Sequence, residues 1–116
     1  MAKVTKIKRE PIMVELDAPM EGEHLLKFTM ESFAEMEAKY GSVKEAVEET
    51  KTGKIEPVAF MLWAGLIYPY DDPRELSLRK VMKSIDIKDM QYYVDKLSEA
   101  MQADLPEEAQ DAANPN

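Results

Sequence analysis

Between Pro57 and Pro69 the chain runs Val-Ala-Phe-Met-Leu-Trp-Ala-Gly-Leu-Ile-Tyr, eleven residues without a single charge. A membrane-spanning helix needs roughly 20 such residues, so this run is too short to be one. Pro57 supplies a preset φ at a first helical position, and Pro69 and Pro73 close the segment. A helix that is apolar nearly all round cannot lie on a monomer surface with one face in water, unless another protein covers that face. Residues 58–68 are therefore expected to form the central helix, with everything else arranged around it.

The remainder is short. At 116 residues and 13.2 kDa the chain has room for one domain. Two β-preferring runs, residues 12–16 and 24–29, flank Asp17-Ala-Pro-Met-Glu-Gly22 and predict a hairpin, which is marginal alone and must pack on something. Thr29 is placed to cap a helix with Phe33, Met36, Glu37 and Tyr40 at i, i+3, i+4, i+7, and Gly41 to end it. Ser42-Val-Lys-Glu45 reads as a capping box, opening a short helix with Val43, Ala46, Val47 and Thr50 on one stripe and Gly53 after it. Ser77 precedes Leu78, Val81, Met82 and Ile85; Asp86 precedes Met90, Tyr93 or Val94, Leu97 and Met101. The expected fold is α+β and mainly helical, about five short helices packed with an N-terminal β-hairpin. Residues 1–10 read as a flexible basic arm, 11–103 as the domain and 104–116 as a disordered acidic tail.

Charge narrows the partners. The net charge is −8, which repels polyanions, and the basic residues read as gathered at the N-terminus: Lys3, Lys6, Lys8 and Arg9 against Glu10. From Asp86 onward two lysines face eight acids. Neither nucleic acid nor a membrane is expected as a partner. With no cysteine, thiol catalysis and thiolate zinc sites are excluded, and the chain fits a reducing cytosol.

Catalytic motifs do not assemble. His24, the one histidine, has Glu21 and Glu23 for neighbours, a nonspecific set for a metal, and reads as a half-exposed strand residue. Ser77-Leu-Arg-Lys80 and Lys51-Thr52-Gly53 mimic two penicillin-binding signatures but lack the third, and each doubles as a helix cap or stop. Four isolated glycines make no phosphate loop, and Asp71-Asp72-Pro73 reads as a turn leading into a helix. No enzyme activity, cofactor or metal is expected. Apolar surface is the informative feature: nine methionines, and aromatics concentrated on one helix and its exit. The expected partner-binding residues are Phe60, Trp63, Leu66, Ile67, Tyr68 and Tyr70, with core packing as the alternative.

The order of segments carries a resemblance. After the hairpin come Lys27-Phe-Thr-Met-Glu-Ser-Phe-Ala-Glu-Met-Glu-Ala-Lys-Tyr-Gly-Ser42, then Leu62-Trp-Ala-Gly-Leu66, then Asp72-Pro-Arg-Glu-Leu-Ser-Leu-Arg-Lys-Val81. From about residue 12 to 103 the chain resembles the tail assembly chaperones of long-tailed, siphovirus-type bacteriophages and prophages. The resemblance implies a non-catalytic helper in the host bacterial cytoplasm that coats the tape measure protein, keeps it soluble and aids polymerisation of tail tube protein, without entering the mature virion. It also implies, for many members, a frameshifted longer product. Only Trp63, Ala64, Gly65 and Leu66 carry over, as the matching central motif rather than as contacts. The alternative is a small homo-oligomeric adaptor or regulatory domain whose apolar helix pairs with itself.

Overall fold

Alternation starts the fold: Val14 and Leu16 turn into the core while Glu15 between them faces out, the pattern of a strand with one buried side. The computed structural model describes residues 10–104. In it β1 (Met13–Leu16) pairs antiparallel with β2 (Gly22–Leu25), Met13 opposite Leu25 and Leu16 opposite Gly22. The second strand lies earlier than the expected 24–29, because the backbone past it finds other partners. The Lys27 amide donates to the Gly65 carbonyl at 2.8 Å and the Phe28 amide to the Asp104 carboxylate at 3.1 Å. Thr29 is thereby released from the sheet to cap the next element.

That element is α1 (Met30–Tyr40), whose Thr29–Ser32 pair forms a reciprocal capping box. It ends at Gly41, where φ of +96° suits glycine alone. Ser42 Oγ accepts from the Glu45 amide at 3.0 Å and opens α2 (Val43–Glu49). The central helix, α3 (Ile55–Leu66), begins three residues before the expected 58–68 and ends two residues short of it. Pro57 sits third in the first turn, where its missing N–H would have had no intrahelical partner anyway. Asp72 and Glu75 box a 3₁₀ turn, Pro73–Glu75, and Ser77 caps α4 (Leu78–Lys83). Asp86 caps a second 3₁₀ turn, Ile87–Asp89, which runs into α5 (Met90–Asp104). The architecture is the mainly helical α+β arrangement of five helices and a hairpin expected from the sequence. Asp104, assigned by sequence to the tail, ends α5; the rest of that tail and residues 1–9 of the arm lie outside the described residues.

Ten consecutive residues of α3, Pro57 to Leu66, are buried. The helix is enclosed by its own chain: the hairpin crosses it at Gly65, α1 and α2 flank it, and Tyr93 and Leu97 of α5 join the same core. Gly65 is the crossing point. A Cβ there would stand 2.5 Å from Leu26 Cδ1 and 3.1 Å from Phe28 Cζ, so the strand exit approaches closely only because the side chain is missing. Ser84, also buried, donates to the Lys80 carbonyl at 2.8 Å and offers its own carbonyl to Asp17, tying α4 to the hairpin turn. Among the described residues every buried side-chain nitrogen and oxygen has a partner.

Candidate functional site: an apolar groove beside the central helix

The six residues expected to bind a partner divide by depth. Leu66 and Ile67 are fully in the core and offer no surface. Tyr68, just past the helix, is 48% exposed with the Lys27 ammonium 4.7 Å from its ring centroid, and Tyr70 is half-buried against the core. Phe60 and Trp63, one turn apart on α3, keep 7% and 9% of their surface in solvent. Those two exposed edges share one depression; the six do not form one site.

The depression holds about 280 Å³. Phe60, Trp63, Leu76 and Leu78 give it apolar walls, Ser77 a hydroxyl, and Lys39 and Arg74 stand on its rim. Its shape is fixed by packing. Tyr40 meets Phe60 edge-on at 5.6 Å, Phe60 meets Trp63 at 5.4 Å, and the Trp63 indole N–H donates to the Leu76 carbonyl at 2.5 Å. The last bond ties the segment after the first 3₁₀ turn to α3, with the indole's polar atom satisfied inside.

Its two rim cations are each paired with a carboxylate. Lys39 pairs with Glu56 at 2.6 Å and lies 5.2 Å from the Phe60 ring; Tyr40 donates to the other Glu56 oxygen at 3.0 Å. Burial, the Glu56 hydrogen bond and the negative charges of Glu56 and Glu49 all hold the Tyr40 hydroxyl well above the ordinary phenol range, so it stays protonated. Arg74 lies 3.6 Å from Asp72, whose carboxylate also caps the 3₁₀ turn. These groups hold one another in place. Chemically the groove can cover an apolar side chain, with two ion pairs at its rim.

The sequence's other chemical candidates have structural employment. His24 Nε2 lies 2.6 Å from the Met20 carbonyl, which can only accept, so that nitrogen carries the proton. Asp72 caps, Ser77 caps, and Gly53 follows α2 with a φ of +84°. Among the described residues no cluster of three or more His, Cys, Asp or Glu could hold a metal ion, and no helix is long and apolar enough to cross a membrane.

No family model, curated protein or solved structure matches the chain. The Trp63-Ala-Gly-Leu66 motif has a role within this molecule: the indole ties down Leu76, Ala64 and Leu66 fill the core, and Gly65 admits the strand exit. Sequence reasoning missed Leu76 and Leu78 as groove walls. Their signal was adjacency to Ser77, a cap that fixes where the chain must turn.

Proposed function

We propose that this chain is a non-catalytic tail assembly chaperone that shields apolar stripes of the tape measure protein until tail tube subunits replace it. The observation carrying the proposal is the open groove of Phe60, Trp63, Leu76 and Leu78, an apolar surface held rigid by the packing beneath it. An amphipathic helix laid over such a groove buries its apolar face. Each contact is small and therefore weak, and many copies along one long helical chain supply occupancy through avidity while leaving each copy displaceable. Net charge of −8 keeps the coated polymer dispersed. This work takes place in the host cytoplasm and leaves the chaperone out of the finished particle.

Co-expression tests the proposal. The tape measure protein should stay in the supernatant with the wild-type chain and pellet with Leu78→Glu, which puts a carboxylate on the groove wall at a half-buried position packed against the core, in a variant whose circular dichroism is unchanged. Trp63→Ala is less informative because it also breaks the bond to Leu76. If the tape measure protein pellets with the wild-type chain, or is equally soluble with Leu78→Glu, the proposal fails. Sedimentation of the free chain addresses the alternative adaptor reading, which requires a stable dimer dissolved by Leu78→Glu.

A further inference from the structure

A second apolar depression, about 220 Å³, lies between Ile55, Met82, Ile85, Ile87 and Met90. Unlike the Pro57–Leu66 stretch of α3, three of these side chains are open: Ile87 is 67% exposed, Ile55 48% and Met82 37%. The two depressions are neighbours on one seam. One joins Ile55 at the start of α3 to Met82 near the end of α4, and the other joins Phe60 and Trp63 to Leu78 at the start of α4. The short helix therefore runs back along the long one. On α4, Leu78 and Met82 are i and i+4 and form one ridge linking the two depressions. On α3, the rise from Ile55 to the Phe60–Trp63 pair is about 8–12 Å, which matches the roughly 10 Å between positions i and i+7 of another helix.

The seam is basic although the chain is acidic. Residues 76–85 contain Arg79, Lys80 and Lys83 and no acid, against 23 acids in the whole chain. Arg79 and Lys83, four residues apart, border the Leu78–Met82 ridge on its solvent side, and both are exposed. Lys54 precedes Ile55, and neither Lys54 nor Lys83 has an ion-pair partner among the described residues. At the far end Lys39 and Arg74 stand on the rim already paired with Glu56 and Asp72, so the unpaired positive charge is that of the α4 side. Asp86 is the one acid that lines the second depression, and Lys88 lies 3.8 Å from it.

We infer that the α3–α4 seam is a two-anchor docking surface for one acidic amphipathic helix, with apolar side chains at i and i+7 seated in the two depressions and carboxylates facing Arg79 and Lys83. This rests on the shielding role proposed above and specifies the partner segment it takes. The mean field of a chain of net charge −8 repels an acidic helix, so its selection rests on the local attraction of Arg79 and Lys83.

The test uses a 21-residue helical peptide with Leu at i, i+3 and i+7 flanked by Glu, and a twin in which each Glu is Lys. Trp63, the single tryptophan, reports on the first depression by fluorescence. The Glu peptide should bind saturably and at least about tenfold more tightly than its twin, with a preference that weakens as salt rises. Arg79→Glu with Lys83→Glu should invert the order, and Met82→Ser should weaken the Glu peptide about fivefold or more, each in a variant whose circular dichroism is unchanged. Equal binding of the two peptides, preference for the Lys twin, or no binding of either overturns the inference. So does sedimentation as a dimer that Met82→Ser dissolves, which would assign the seam to a second copy. Loss of the charge preference while the tape measure protein stays soluble overturns this inference alone; loss of both overturns the shielding role with it.

Discussion

α3 and α4 lie side by side and treat their apolar residues in opposite ways. In α3 they are numerous and almost all enclosed by the protein's own hairpin, helices and turns. In α4 and the turn after it they are few, yet Met82 and Ile87 face solvent next to arginine and lysine. An apolar run by itself thus reports the core, and the surface proposed for a partner lies where apolar side chains are left open beside a run of basic residues with no acid within it.

Substitution should separate the two helices. Leu62→Ala, at a fully buried α3 position, is expected to cost about 2–5 kcal/mol in urea unfolding, since transfer and cavity terms add. Gly65→Ala brings a methyl against Leu26 and Phe28; the crowding outweighs the helix propensity gained, for a net loss of about 1–2 kcal/mol. Trp63→Phe leaves the Leu76 carbonyl without its donor and should cost about 1–3 kcal/mol. Met82→Ser and Ile87→Ser should change stability by only about 0.5 kcal/mol while weakening peptide binding about fivefold or more. Equal stability losses for Leu62→Ala and Met82→Ser would erase the distinction.

A pH scan adds a smaller effect, confined to alkaline solution. Burial pushes the Tyr93 hydroxyl up, against a backbone hydrogen bond from Asp86 that pulls it down, and Tyr40 is raised as well. A group whose folded-state pKa is raised holds its proton longer when folded, so its stabilisation is fully present below the unfolded value near 10 and is lost as pH climbs beyond it. Wild-type stability should therefore fall more steeply above about pH 10 than that of the Tyr40→Phe, Tyr93→Phe double variant. Parallel profiles in chemical denaturation would show that neither phenol is coupled to folding.

Much of the fold was legible because its signals are local. Thr29, Ser42 and Ser77 cap helices as their spacing indicates, and Gly41 stops one. The β2 boundary was not, since it depends on Gly65 and Asp104, distant residues that draw the backbone away from the ladder. The candidate site was legible in part. Phe60 and Trp63 do reach a groove, whereas Leu66 and Ile67 do not: an all-apolar helix has the same pattern whether its own chain or a partner covers it. The basic stretch at residues 76–85 is hidden in the whole-chain charge by acids elsewhere, and the N-terminal lysines are the more conspicuous cluster.

The nine methionines allow the central claim, that binding is confined to the α3–α4 seam, to be read directly. With methyl-labelled methionine and the Glu-flanked peptide, NMR should show Met82 and Met90 shifting strongly, and Met36 and Met61, both fully buried, staying near their free positions. Shifts of Met36 and Met61 as large as that of Met82, or an unmoved Met82 at saturating peptide, would contradict the account.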